Sequence, residues 1–280
     1  MVAWGDCRPA VRLGCVRPRS DTAALVGGRR APQGGVRLGG GRCGGGPALA
    51  QADPVSEALE RYLEAVYILE HTGGAIAARV AERLGVRAPS VSVALRRLEG
   101  LGLLRTAPDR RLVLSPEGER LAEQIMRRHR VLERWLVEGL GLDWARAHSE
   151  AQRMEHAVSS EVVDRLYEAL GRPAACPHGN PIPGAQGLPP YAGSLTLDQA
   201  PTGAWVRIAR IAEDAEENAD SLAALDRLGL RPGRRLHVLG RQSGGQTRFD
   251  AGRGEADLPM AMAGKVWVDP EAEGPGGGGG

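Results

Sequence analysis

The sequence predicts a mainly α-helical protein with a small β component, ordered as a winged helix-turn-helix, a helical middle region and an SH3-like β-barrel. Three observations predict it. Between Val55 and Gly171, apolar residues recur at helical spacing, broken by one pair of short strand-like runs. A proline-rich stretch, "RPAACPHGNPIPGAQGLPP", then ends all periodicity and reads as a semi-extended linker. Beyond it, "AWVRIARI", "RRLHVLG", "QTRFDAG" and "KVWVD" are short strands around one helix, "NADSLAALDRLGL".

Each element has a local cause. Asp53 can cap a first helix and Pro54 suits its first turn, and Val55, Leu59, Tyr62, Leu63, Val66 and Leu69 form its apolar stripe. A second helix, "AIAARVAERL", turns Ile76, Val80 and Leu84 inward. Gly85 permits the tight turn into a third, which buries Val91, Leu95 and Leu98. "GLLRT" and "RLVLS" around "APDR" read as a hairpin, which completes the winged helix-turn-helix order. Ser115, Pro116 and Glu117 open a long helix to about Gly139. A fifth helix follows Asp143, and a sixth runs from Ser159 and Ser160 to near Gly171.

The 280 residues suffice for two or three modest domains. No run of eighteen apolar residues is present, which argues against a membrane span. No secretory signal is legible either. Four cysteines without CxxC spacing argue against a disulfide framework or zinc ribbon, so a reducing cytoplasm is the expected compartment. Net charge is +2, but residues 1–50 hold eight arginines against Asp6 and Asp21, leaving the remainder net acidic. That glycine- and arginine-rich leader is expected to be disordered, either dispensable or a nonspecific nucleic-acid arm. Contact with DNA must therefore come from a local patch.

Such a patch exists on the third helix and wing. Arg87, Pro89, Ser90, Val93, Arg96 and Arg97 fall at its start and along its outward face, where a recognition helix meets base edges. Arg105, Arg110 and Arg111 on the hairpin are placed to neutralise phosphates. The alternative is an ordinary solvated face; the helix–turn–helix–hairpin order favours double-stranded DNA.

Two polar rows stand out further on. In the fourth helix the row Leu121–Ile125 continues as His129 and Glu133, an i, i+4 pair able to share a cation. "HSEAQRMEHAV" places His148, Gln152, Glu155 and His156 on one stripe of the fifth helix. Each row alone could be a solvated surface or a satisfied polar network. Two adjacent rows make a metal centre the better reading, with nitrogen and oxygen ligands suited to Mn2+, Fe2+, Co2+, Ni2+ or Zn2+. A metal-dependent hydrolase using Glu155 as base is disfavoured, because no nucleophile motif, phosphate loop or HExxH is present. A metal-independent winged-helix regulator with structural polar rows stays open.

"YLEAVYILE", "RVAERLGVRAPSVSVALRRLEGLGLL", "DRRLVLSPEGERLAEQIMRRHRVLERWL", "HSEAQRMEHAVSSEVVDRL" and "CPHGNPIPG" together resemble the diphtheria-toxin-repressor family of iron- and manganese-dependent transcriptional regulators. The resemblance spans about Asp53 to Pro270. It implies a DNA-binding domain over 51–115, a helical metal-binding and dimerisation domain over 116–172, a linker over 173–193, an SH3-like (FeoA-like) domain over 194–270 and a disordered tail over 271–280. It also implies a homodimeric repressor of metal-uptake genes, with an operator DNA as partner, no membrane or small-molecule substrate, and no enzymatic role. His129, Glu133 and His148 match the family's ancillary metal site, with Glu213 and Glu216 supplied by the SH3-like domain. Glu155 and His156 match the activating site. There Gln152 and Arg61 depart from the family pattern, and Glu64 could stand in for Arg61, which cannot ligate a cation. With no thiol expected among the ligands, Mn2+ is slightly favoured over Fe2+.

Overall fold

A computed structural model describes residues 55–185, 193–216 and 218–271. The glycine-rich leader over 1–50, the Asp53–Pro54 helix start, the end of the proline-rich stretch and the tail after Glu271 lie outside the described residues. The N-terminal unit contains α1 (Glu57–His71), α2 (Ala77–Leu84), α3 (Ala88–Gly100), β1 (Leu104–Thr106) and β2 (Leu112–Leu114). Ser56 is the N-cap of α1. Gly85, at φ 62°, ends α2 in the left-handed conformation that makes the turn to α3. Leu63, Val66, Val80, Val91, Leu98, Leu104 and Leu112 close one core over all five elements, and Ile125 and Met126 of the next helix join it. Ile76, expected inward, is partly exposed. It is the residue before α2 and bridges to Arg111 of the wing, so strand pairing has displaced it from the helix's inner face.

The middle region holds α4 (Pro116–Glu138), α5 (Trp144–Met154) and α6 (Ser160–Ala169). Ser115, Asp143 and Ser159 cap them by accepting from Gly118 N, Ala145 N and Val162 N respectively, as their sequence positions indicated. Gly118 is required: a Cβ there would stand 1.9 Å from the carbonyl oxygen of Leu103, so α4 can press against the wing only without a side chain at that point.

Residues 173–185 correct the linker expectation. Their prolines do prevent helix and strand, yet the segment folds back on itself through Cys176 N to Asn180 O at 2.8 Å and Ile182 N to Ala174 O at 2.9 Å. Cys176, His178, Asn180 and Ile182 are buried. Irregular backbone is affordable inside a protein when such bonds satisfy its polar groups.

The C-terminal unit contains β3 (Leu195–Thr196), β4 (Trp205–Ile211), α7 (Glu213–Glu216), α8 (Ala219–Arg227), β5 (Arg235–Gln242), β6 (Gln246–Asp250), β7 (Glu255–Pro259), α9 (Met260–Ala263) and β8 (Val266–Pro270). The strands form one antiparallel sheet in the order β3-β8-β4-β5-β6-β7, with irregularities at Ile208/Arg210 and Val238/Gly240 that bend it. Val206, Ile208, Leu236, Val238, Phe249 and Val268 alternate inward, and Trp144 and Ala145 from α5 belong to the same core. The middle region and the barrel are thus fused rather than tethered. Glu271, expected in the tail, is fixed by a 2.9 Å bond from its backbone N to Trp205 O and by ion pairs with Arg207 and Arg235. Among the described residues, no helix is long and apolar enough to cross a membrane.

Candidate metal centre and nucleic-acid face

The α4 row behaves as its spacing indicated: Ile125 enters the apolar core while His129 and Glu133, both buried, face α5. His129 Nε2 lies 3.0 Å from Glu133 Oε1 and 3.0 Å from His148 Nδ1, and His148 Nδ1 lies 3.0 Å from the same carboxylate oxygen. From α7, Glu216 Oε2 comes within 3.5 Å of His148 Nδ1. The folded-back segment supplies two residues that the sequence reading missed. His178 places Nδ1 3.5 Å from Glu133 Oε1 and 3.7 Å from Glu216 Oε1, while its Nε2 donates to Trp144 O at 3.2 Å. That bond selects the tautomer whose Nδ1 lone pair faces the cluster. Cys176 Sγ sits 3.9 Å from the same Nδ1. The ligand atoms of His129, Glu133 and His148 lie within 4.8 Å of one another, as do those of Glu133, Cys176 and His178. Cys176 and His178 lie in "CPHGNPIPG", a run that carried the family resemblance without either residue being read as a ligand.

This geometry corrects one expectation. A thiol does reach the cluster, so the donor set no longer separates Mn2+ from Fe2+. Glu213 lies outside the grouped ligand atoms: one oxygen accepts from Arg130, and Oε2, 4.0 Å from Arg83, is buried without a hydrogen-bond partner.

"HSEAQRMEHAV" is not one continuous helical stripe. α5 ends at Met154, so Glu155 and His156 lie on the turn that follows. Glu155, fully buried, accepts from His129 Nδ1 at 2.6 Å and thereby aims Nε2 at Glu133 and His148. His156 Nε2 stands 3.3 Å from Glu155 Oε1, and its Nδ1 is 2.8 Å from Glu60 Oε2, with Arg128 at 3.4 Å from that oxygen. Glu60, one helical turn before Glu64 and next to Arg61, was also missed. Arg61 is exposed, and Gln152 is half-buried and makes no hydrogen bond among the described residues. Burial, then the charge of Glu155, pushes the Glu64 carboxyl up to about 7.

The electrostatics follow from confinement. Burial opposes a charge on His129, but the carboxylates of Glu133 and Glu155 outweigh it and hold the imidazole well above its ordinary range. Burial likewise opposes a charge on His148, whose bonds to Glu133 and Glu216 raise it to about 9. Glu133, despite burial, is held well below the usual carboxylate range by His129 and His178. Burial, then Glu133 and Glu216, pushes the Cys176 thiol well up. Glu133 Oε2, His148 Nε2 and Glu213 Oε2 are buried without a hydrogen-bond partner. Orphans of this kind cost about 1–3 kcal/mol each, and a fully self-satisfied polar network would not leave them on its own members. A divalent cation suited to imidazole and carboxylate fits the donor set.

On the opposite unit, Arg87 is the N-cap of α3, and Pro89, Ser90, Val93, Arg96 and Arg97 are exposed beside or along it, Val93 by 59%. Solvating so large an apolar side chain on an otherwise polar face fits contact with a base methyl. Arg105 and Arg110 are exposed on the wing, Arg110 at the turn with φ 66°. Arg111 is paired with Asp109 at 2.6 Å, so its charge is partly neutralised.

Three family models match in chain order: "Iron dependent repressor, N-terminal DNA binding domain" over residues 55–112, "Iron dependent repressor, metal binding and dimerisation domain" over 115–184, and "FeoA domain" over 195–270. The iron-dependent repressor IdeR of Mycobacterium tuberculosis (strain ATCC 25618 / H37Rv) is 38% identical over 223 residues, covering 76% of this chain and 97% of that protein. The diphtheria toxin repressor of Corynebacterium diphtheriae is 37% identical over 193 residues, covering 66% of this chain and 85% of that protein. Among solved structures, a manganese-dependent transcriptional repressor in complex with manganese superposes with a TM-score of 0.67 at 31% identity, covering 76% of this chain and 100% of the other. ScaR with bound Cd2+ gives 0.65 at 30% identity, covering 75% and 98%.

Proposed function

Because the chain belongs to the iron-dependent, or diphtheria-toxin, repressor family, we infer that it is a DNA-binding transcriptional repressor controlled by Mn2+ or Fe2+. It acts in the cytoplasm as a homodimer on the operators of metal-uptake genes, and no catalytic role is proposed for it. The observation that carries this reading is the meeting of His129, Glu133, His148, Glu216 and His178, from four separate parts of the chain, in one buried cluster of imidazoles and carboxylates.

His129, Glu133, His148, Glu216 and His178 would hold one cation, with Cys176 beside it. Glu155, His156, Glu64 and Glu60 would hold a second, Glu60 standing in for the position that Arg61 vacates. Bound there, the metal supplies positive charge that compensates the clustered carboxylates. The chain's own residues do the rest. Glu155 touches both groups, because it orients His129 and ion-pairs with His156. Glu60 and Glu64 lie on α1, whose Leu63 and Val66 pack in the same core as Val91 and Leu98 of α3. An arrangement of α1, α4 and α5 that favours the cation therefore also fixes the recognition helix. Across a dimer, DNA half-sites repeat at helical-turn spacing, so a fixed α3 converts metal occupancy into affinity.

The test is operator binding by fluorescence anisotropy. EDTA should abolish specific binding, and Mn2+ or Fe2+ should restore it. Equal affinity in EDTA and Mn2+ would instead support the metal-independent regulator.

A further inference from the structure

The wing consists of two three-residue strands, Leu104–Thr106 and Leu112–Leu114. A two-stranded hairpin of that size does not hold itself in place, so its angle to α3 depends on what grips it. Thr106 and Leu112 stand opposite each other in the ladder, yet each donates its backbone N–H outward. Leu112 N donates to Ala75 O at 2.8 Å and Ile76 bridges to Arg111, which ties β2 to the segment before α2. On the other side, one oxygen of Glu99 accepts from Thr106 N at 2.9 Å and from the Thr106 hydroxyl at 2.6 Å, which ties β1 to α3. Glu99 is the only acid in α3, whose exposed residues include Arg96 and Arg97. A carboxylate on a DNA-facing helix repels phosphate, and the bonds to the wing account for its presence.

We propose that Glu99 is a positioning residue for DNA binding: it locks the wing to the recognition helix, so that Arg105 and Arg110 meet phosphates in the register that α3 sets. This rests on the DNA-binding reading above and does not involve the metal centre. Arg105 precedes Thr106 in β1, and Arg110 lies at the wing turn; both are exposed. Neither makes an ion pair among the described residues, so both charges are free to meet phosphate, whereas that of Arg111 is shared with Asp109. Bonds to a carboxylate are charge-assisted and stronger than those between neutral groups, which suits a single side chain to hold a short strand. A wing fixed in advance also loses less freedom when the duplex binds.

The experiment compares Glu99→Ala and Glu99→Gln with the wild-type chain, all loaded with Mn2+. The probe is a labelled duplex selected from a random pool by the wild type, and anisotropy gives its affinity over a series of salt concentrations. Each phosphate contact contributes about 0.9 to the slope of log affinity against log salt. Glu99→Ala should bind more weakly and lose about one to two from that slope, because two arginines lose their placement. Glu99→Gln keeps an accepting oxygen in the same place and should retain the wild-type slope. Thr106→Val removes one of the two bonds and carries the expectation for Glu99→Ala, in smaller measure, should that variant fail to fold. Arg105→Gln should lower the slope by about one in the wild type and by less in Glu99→Ala. Were Glu99 only a surface charge, the Ala and Gln variants would both bind the duplex more tightly, and that result would overturn the proposal. So would an unchanged slope in Glu99→Ala, or equal losses from Arg105→Gln in both backgrounds. A wild-type chain that selects no duplex would instead overturn the DNA-binding reading itself.

Discussion

Loading the centre with Mn2+ at pH 7 is expected to displace at least one proton per chain. The first comes from His148. Burial alone would keep this imidazole neutral, but hydrogen bonds to Glu133 and Glu216 raise it to about 9. At pH 7, roughly one chain in a hundred would then carry a neutral His148, and removing its proton costs about 3 kcal/mol. The rest of the cluster adds to it, because carboxylates hold both His129 and His178 above their ordinary range against the effect of burial. Each imidazole must be neutral to ligate. With at least one proton displaced, apparent Mn2+ affinity should fall at least about tenfold for each pH unit below 8. The assay is calorimetric titration of Mn2+ into the chelator-treated chain, in two buffers of equal pH and different ionisation enthalpy. The difference in heat counts the protons. Equal heats in the two buffers would refute the reasoning. The sign for stability is opposite in the two states. A raised histidine stabilises the metal-free fold fully below about 6.5, and that contribution is lost as pH rises through about 9. The chelated chain should therefore lose melting temperature between pH 6.5 and 9, whereas the Mn2+-loaded chain should gain it.

Two substitutions probe the His129–Glu133–His148 cluster, one through the carboxylate that orients His129 and one through the backbone. Glu155→Gln keeps the shape but weakens the bond that aims His129, so calorimetry should show Mn2+ affinity at the ancillary cluster reduced about 10–100-fold, as for other partners that orient a ligand; an unchanged affinity would remove Glu155 from that role. Gly179→Ala places a Cβ 2.3 Å from Ala209 O at φ 89°, so thermal unfolding should show a loss of more than about 1 kcal/mol, with weaker Mn2+ binding because His178 and Asn180 flank that position.

The order of elements was legible because helix period, caps and turn residues are local. Ser115, Asp143 and Ser159 cap their helices where the sequence placed them, and Gly85 turns α2 into α3. His129 and Glu133 were legible for the same reason, since four residues of one helix fix their spacing. Glu60 was hidden by a neighbour, because Arg61 beside it occupies the position that the family pattern gives to a ligand. His178 and Cys176 were hidden by prolines, which correctly forbid regular structure but do not say whether irregular backbone is exposed or buried. By itself, then, the sequence determined the helices, the hairpin, the C-terminal strands and the His129, Glu133 and His148 ligands, with Glu216 added by the family resemblance. Only the tertiary structure decided which distant carboxylate meets which imidazole. It sends Glu216 to His148 and Glu213 to Arg83 and Arg130, because the two acids leave one short turn in different directions and each settles beside the buried positive group within its reach.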